Sequence, residues 1–460
     1  MVYKKYMLAS TPFTSSNDVY EWLLGFINFE RVKSQRGFKL DRVKLLAEAA
    51  GHPERCAPSI HVAGSKGKGS VTGMIAAILE ASGIKTARYA SPHVSNFRER
   101  LSTGSGFFDE EIYVQAGNEL KGLVEGLPPS FGEETSFFEL ATIWFFLCAR
   151  LSRCGAMAVE TGMGGRLDAT NILDPLASVI TLIELEHTEY LGNTIAAIAG
   201  EKAGIIKRAK PLVLAEQTGE ALSVFREYAV SRNSPLLYFP ECAEVKDISV
   251  KREGTGFTFV LKKTSAREKA EAETLSGLFV PIPGEVQARN AGLAVLALKT
   301  AFPDIRSECI YGGLAGFSLP GRFERISDAP PVIIDGAHTA CSVEMAVKTF
   351  VSLYGLDGIL IFGCVAGKDI LSMAELCVPF FSAIIITTPG TFKKSNPSEV
   401  HDAFVGQKNK TGKVQEILFI PDTTEAIGSA KELALKRGLP ILGTGSFYLA
   451  AEIRDNIIPG

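Results

Sequence analysis

Ala63-Gly64-Ser65-Lys66-Gly67-Lys68-Gly69-Ser70 is the stretch that decides how this chain folds. Before it stands Ser59-Ile60-His61-Val62-Ala63, a short apolar run with the look of a buried strand. After it, Val71, Met74, Ile75, Ile78 and Leu79 recur at i, i+3, i+4, i+7 and i+8, one face of a helix that ends near Gly83. Strand, glycine-rich turn and helix in that order converge backbone N–H groups and a helix N-terminus on one point. The glycines free the backbone to turn its N–H groups toward an anion, and the helix dipole favours negative charge there. Lys68 adds a cation, and the hydroxyl of Ser70 suits magnesium. The usual phosphate-loop pattern puts four residues between its glycines and the hydroxyl directly after the lysine, and neither holds here. The physics is the same, so Gly64, Ser65, Lys66, Gly67, Lys68, Gly69 and Ser70 are expected to bind a nucleotide.

Working outward, apolar runs expected as strands fall at Ala156–Glu160, Ser178–Leu185, Pro211–Ala215, Pro331–Asp335, Gly358–Gly363, Ala383–Thr388 and Pro440–Gly443, with helical stretches between most of them. That alternation predicts an α/β fold, a parallel sheet covered on both faces. Residues 244–281 differ. There Phe257-Thr258-Phe259-Val260-Leu261 and the charged run Lys262 to Glu273 predict a small β excursion with a solvated loop. Gly312-Gly313, Gly316 and Pro320-Gly321 then cluster before a fresh α/β series from Pro330, which puts a domain boundary near 317 and divides the chain into 1–316 and 317–460.

Composition narrows the classes. The 460 residues, at about 150 per domain, give two to three domains. With 46% apolar and 22% charged residues the chain is globular, and a net charge of −3 excludes a polybasic nucleic-acid coat. Eight cysteines (56, 148, 154, 242, 309, 341, 364, 377) show neither a C-x-x-C pair nor zinc spacing, and read as buried thiols in a reducing compartment. The richest apolar run, Leu140 to Leu151, is interrupted by Thr142 and Arg150 and falls short of the roughly 18 residues of a membrane span, so it reads as a buried helix. At the start, Lys4 and Lys5 precede only Tyr6-Met7-Leu8-Ala9, too brief for a signal-peptide core. The expectation is a cytoplasmic protein with neither membrane nor nucleic-acid partners.

Further islands lie at strand ends, where open α/β sheets bind ligands. In the stretch from Ala158 to Asn171, Glu160 stands where an apolar strand meets a glycine-rich loop, a good position for a magnesium ligand. The next strand is read as ending in Glu186-His187; a lone histidine is more often structural, and magnesium prefers oxygen. Lys202, within Gly200–Lys207 on a probable helix, reads by itself as part of an exposed face.

Taken together these islands resemble the folylpolyglutamate synthase/dihydrofolate synthase family of the Mur ligase superfamily. Its matching stretches also include Ser91-Pro92-His93, Arg98-Glu99-Arg100, Phe138-Glu139, Asn290-Ala291, Pro320-Gly321-Arg322, Asp335-Gly336-Ala337-His338 and Gly443-Thr444-Gly445-Ser446, so the resemblance spans almost the whole chain. It implies a P-loop-type central ATPase domain with a small β excursion, followed by a Rossmann-like glutamate-ligase domain. It also implies an ATP-dependent ligase that joins L-glutamate to dihydropteroate, tetrahydrofolate or both through an acyl phosphate, as a monomer. Ser70 and Glu160 would hold one magnesium and His187 a second. Lys202 would match a lysine carried as a carbamate near the metals, and it stands with Lys68 and His338 as the expected catalytic group. Asn290, Arg322, Asp335 and His338 would contact ATP. Ser91, His93, Phe138 and Glu139 would lie toward the pterin-bearing substrate.

The sequence departs from the family at Lys66 (usually Asn), at Glu184 and Glu186 (usually Gly and Asp), and at Thr339 (usually Asn). Lys66 adds a cation beside the phosphates, the two glutamates alter the second metal site, and Thr339 lacks an amide donor. Competing readings are a nucleotide-driven switch, a P-loop small-molecule kinase, and another Mur-type amino-acid ligase. A switch leaves Asp335 and His338 without a task, and Arg166-Leu167-Asp168-Ala169-Thr170-Asn171 looks like the folate branch. In a two-domain ligase the glycine-rich boundary near 317 would be a hinge.

Overall fold

A seven-stranded sheet, in the order β3-β2-β4-β1-β5-β6-β7, places β1 (Ser59–Ala63) at its centre between β4 (Ala156–Glu160) and β5 (Ala177–Ile180) in this computed structural model, which describes residues 11–28, 39–128, 131, 134–263, 272–390, 394–411 and 416–458. Its other strands are β2 (Thr86–Tyr89), β3 (Leu101–Thr103), β6 (Leu212–Leu214) and β7 (Leu236–Tyr238). All neighbours pair in parallel except β2 and β3. The apolar run of β1 is buried at every position, as a strand covered on both faces requires.

The helix Lys68–Ala81 lays the expected face, Val71, Met74, Ile75, Ile78 and Leu79, against this sheet with no exposure. The helix Phe137–Leu151 confirms the buried-helix reading, and Trp144, Phe145 and Phe146 are wholly inside, each stabilising by about 1.5–3 kcal/mol. Among the described residues, no helix is long and apolar enough to cross a membrane.

The excursion is a three-stranded antiparallel sheet, β8 (Ala243–Lys251), β9 (Gly254–Leu261) and β10 (Glu273–Val280), packed on the helix Glu285–Ala301. Of its charged run, 264–271 lie outside the described residues, as do the N-terminal residues 4–9.

A six-stranded sheet follows, in the order β11-β12-β16-β13-β14-β15, from β11 (Glu324–Asp328) and β12 (Pro331–Ile334) through β13 (Gly358–Phe362), β14 (Phe381–Ile386) and β15 (Glu416–Phe419) to β16 (Ile441–Thr444). Only the β11–β12 pair is antiparallel.

Several expectations need correction. β5 ends at Ile180, not Leu185, because the chain leaves the sheet at Thr181 and Leu182 forms an antiparallel bridge with Lys66 of the phosphate loop. Gly313 is no linker residue: it lies in the helix Ser307–Ala315, where the backbone of Ile78 in the neighbouring helix leaves no room for a side chain. Phe317 is buried in the core of the first sheet, against Gly73. All eight cysteines are free, but Cys341 is exposed.

Candidate active site

Two glycines set the shape of the phosphate loop. Gly64 has φ +147° and lies so close to Thr181 that a Cβ would collide with its hydroxyl; Gly67, the N-cap of Lys68–Ala81, has φ +87° and would place a Cβ 2.6 Å from Asn290 Oδ1. Both conformations belong to glycine. The loop is anchored on the segment after β5, since Leu182 O accepts from Ser65 N at 2.9 Å and Lys66 N at 3.2 Å, and Ser65 Oγ donates to Glu184 O. Lys68 folds back over the loop and donates to Gly64 O at 2.9 Å. Ser70 is buried in the first helical turn.

Glu160 ends β4 beside this loop and is 3% exposed. Its Oε2 has no hydrogen-bond partner and lies 3.4 Å from the position a Cβ on Gly69 would take. Burial pushes the carboxyl up to about 7, against the pull of Lys68, the Ser91 N–H, Arg322 and Arg88. An orphaned carboxylate oxygen close to the loop residue that precedes Ser70 fits a hard cation. Among the described residues no three His, Cys, Asp or Glu side chains gather at metal spacing. A magnesium ion here would therefore complete its shell with phosphate and water oxygens, as it commonly does.

His187 has a left-handed backbone, φ 47°, just before the short helix Thr188–Leu191. The residue is exposed at the surface, yet desolvation of its ring and the cations of Lys68, Lys202 and Lys368 hold it near 4 in spite of Glu186, so it is neutral and has a nitrogen able to ligate.

Lys202 overturns the exposed-face expectation. On the helix Ile195–Ala203 it is 1% exposed, and its Nζ donates to Gly64 O and to Glu186 Oε1, both at 2.8 Å. Burial, with Lys68 nearby, lowers the amine to about 8. Glu186, although partly desolvated, is drawn down to about 2 by Lys68 and Lys202. Glu184 has a different partner: its carboxylate accepts from Cys341 Sγ at 3.7 Å, a contact from the segment after β5 to the first turn of the helix Ala340–Tyr354.

The second sheet supplies the facing wall. Asp335 follows β12 and fixes the turn around itself, accepting from Ala337 N at 2.8 Å and Phe323 N at 2.9 Å. Burial raises its carboxyl and Arg322 opposes the shift. The charge of Arg322 acts on both Asp335 and Glu160, one carboxylate from each sheet, while burial opposes it. His338 Nδ1 bonds Gly336 O at 2.9 Å; burial and the cation of Lys66 depress the ring to about 3, leaving it neutral. Thr339 caps the helix Ala340–Tyr354 in a reciprocal box with Ser342, so its hydroxyl serves the helix start. Asn290 lies over Gly67 and donates to Gln287.

Toward the first sheet's outer edge, Ser91 precedes a cis proline, and its N–H helps to lower the Glu160 carboxyl. His93 Nδ1 accepts from Arg100 Nε at 2.7 Å, and Phe138 presses on Gly162. Glu139, expected toward the substrate with Phe138, is buried and accepts from Ser136 N, Ser136 Oγ and Arg42 Nε, which fixes the start of the helix that carries Phe138. Sequence reasoning passed over several contributors. Tyr20 stacks on Phe97 at 4.5 Å beside His93. Asp168 accepts from Met163 N and Thr170 Oγ1, and the buried His61 Nε2 meets that same hydroxyl at 2.8 Å. Only Asp168 carried a signal, its place in the Arg166–Asn171 island.

The architecture has known counterparts. Residues 124–298 match the Mur ligase middle domain and residues 321–447 the Mur ligase glutamate ligase domain. With a phosphate loop at the centre of one sheet and a second sheet facing it, the class is an ATP-dependent carbon–nitrogen ligase of the Mur type. Over 455 residues the chain is 30% identical to a dihydrofolate synthase/folylpolyglutamate synthase of Bacillus subtilis (strain 168), covering 97% of this chain and 100% of the relative. The Mycobacterium tuberculosis folylpolyglutamate synthase complexed with ADP and AMPPCP superposes with a TM-score of 0.84 at 27% identity, over 92% of this chain and 96% of that one. An FPGS–AMPPCP–folate complex gives 0.81 at 27% identity, over 97% and 100%. The chain belongs to the folylpolyglutamate synthase/dihydrofolate synthase family.

Proposed function

We propose that the chain joins L-glutamate to a pteroate- or folate-type carboxylate, with ATP first converting the acid to an acyl phosphate. The observation that carries this reading is the buried, partnerless oxygen of Glu160 beside Lys68, faced from the second sheet by Arg322. That the related complexes hold AMPPCP and folate supports the choice of ligands.

In this reading Gly64 to Ser70 cradle the phosphates, Lys68 swings from the Gly64 carbonyl to them, and Asn290, Arg322, Asp335 and His338 hold the rest of the nucleotide. Ser70 and Glu160 hold one magnesium and His187 contributes to a second; the metal's chemistry is to neutralise phosphate charge. The substrate carboxylate attacks the γ-phosphorus and ADP leaves; the glutamate amine then attacks the acyl carbon and phosphate leaves. Such transfer depends on positioning and charge neutralisation. His338, held neutral, offers a hydrogen bond without adding charge. An amine near 8 gives Lys202 the neutral fraction that a carbamate requires, and Glu186 at 2.8 Å would need a cation between itself and that carbamate. Ser91, His93 and Phe138 face the pterin, with Glu139 fixing Phe138. Excluding water from the acyl phosphate calls for closure of residues 1–316 and 317–460 about a hinge near 317.

Eight free thiols and the absence of a basic coat fit a cytoplasmic enzyme acting on small molecules, and the family resemblance implies a monomer. The acceptor is tested by offering dihydropteroate and tetrahydrofolate separately with ATP and L-glutamate and measuring ADP. Turnover with neither acid would overturn the reading.

A further inference from the structure

Phe447 opens the last described helix, Phe447–Ile457, directly after its cap Ser446. Three neighbours share its ring. The Arg322 guanidinium carbon lies 4.4 Å from the ring centroid. The His338 imidazole is 5.8 Å away, tilted by 50°. Gly336 runs so close beneath that any side chain there would collide with the ring, and a Cβ on Gly321 would meet Phe447 Cδ1 at 3.8 Å. Gly336, just after β12, thus leaves space for one aromatic side chain from the far end of the chain.

That placement matters because of what Arg322 does. Its charge acts on Asp335, next to its own sheet, and on Glu160, at the end of β4 in the other sheet. A long flexible guanidinium loses rotamer freedom when ordered, and an aromatic face holds it in one plane through cation–π attraction. The His338 ring bonds Gly336 O through Nδ1, and the Phe447 ring lies against its side.

We propose that Phe447 is a positioning residue for the ligation: a rigid platform that orients Arg322 and His338 toward the phosphate loop without itself touching substrate. This rests on the reading of Arg322 and His338 as nucleotide contacts.

The test is a double-mutant cycle on the full chain, reading KM for ATP, kcat and Tm. Phe447→Ala should raise KM for ATP by about tenfold with a smaller change in kcat, and Phe447→Tyr, which keeps the ring, should return KM to within about twofold of wild type. In an Arg322→Ala background, adding Phe447→Ala should raise KM clearly less than it does in wild type, what remains being the part exerted through His338, while its effect on Tm persists. Phe447→Leu, which fills the space without a π face, covers the case in which the alanine variant fails to fold; it should raise KM with Tm near that of wild type. Equal losses of KM in both backgrounds, or wild-type KM in a folded Phe447→Ala or Phe447→Leu protein, would overturn the proposal. An Arg322→Ala variant with unchanged ATP kinetics would instead overturn the nucleotide-contact reading beneath it, and the platform with it.

Discussion

Lys202 Nζ donates to the carbonyl oxygen of Gly64, 138 residues away in the chain, at 2.8 Å. The same nitrogen bonds Glu186 at 2.8 Å, so one buried amine ties the helix Ile195–Ala203, the loop after β5 and the phosphate loop together. The anion-binding loop is held in shape by a cation from outside it.

Replacing Lys202 by Ala leaves Glu186 with its carboxylate largely buried and its bonded cation gone. Losing one partner of such a pair costs roughly 3–5 kcal/mol. Denaturant unfolding should show a loss of that order, with much of it recovered when Glu186→Gln is added, and turnover should fall with ATP still bound. A Lys202→Ala protein of wild-type stability and activity would show that this contact holds nothing.

How much of this was readable in the sequence depends on the range of the interaction. The phosphate loop and the start of Lys68–Ala81 are local, built from adjacent residues, and were legible. Glu160 was legible because β4 is a continuous buried run with a sharp end. Lys202 was not: its helix is largely small residues without a clear apolar stripe, and its partners lie at 64 and 186. The excess length given to β5 has a similar cause. Thr181 to Leu185 looks like a strand by composition, but it pairs with the phosphate loop, with Leu182 and Leu185 exposed. Phe447 carried no pattern of its own; its role arises from three residues that meet it in space.

Glu160 makes stability depend on pH. Its folded pKa of about 7 stands above the ordinary 4.5, so between those values the native protein keeps a proton that the unfolded chain has lost. This contribution is full below 4.5 and is lost as pH rises through about 7. Magnesium should restore what the ionised form loses. Thermal melts from pH 4.5 to 8 should therefore show a decline in the protein without metal that Glu160→Gln lessens, and a magnesium-dependent rise above pH 7 in wild type alone. Superimposable profiles for the two proteins, with and without magnesium, would contradict this.

Lys68→Ala removes a charge-assisted contact to phosphate worth roughly 1.5–3 kcal/mol, or about 10- to 150-fold in ATP affinity. Among the described residues the side chain bonds the loop carbonyls of Gly64 and Ser65, so folding should be little affected. Calorimetric ATP binding on a variant with normal Tm checks this; unchanged affinity would remove Lys68 from the site.

Gly64→Ala puts a methyl group into the Thr181 hydroxyl at a φ of +147° that side-chain-bearing residues rarely adopt. The loop must shift, and nucleotide binding should fall at least tenfold. Thr181→Ala relieves the collision but not the backbone strain, so the double variant should recover only in part. Full recovery would mean that the backbone conformation of the loop is unimportant.

The central claim is that the two facing sheets form one ligase site in which glutamate consumes an activated acid. It is tested most directly by ADP release from the intact chain with ATP, magnesium and a pteroate-type acid, measured before and after L-glutamate is added. The account predicts slow release that accelerates severalfold on addition of glutamate, with a glutamyl product in equal amount to the extra ADP. Release at the same rate with and without glutamate, and no glutamyl product, would contradict it.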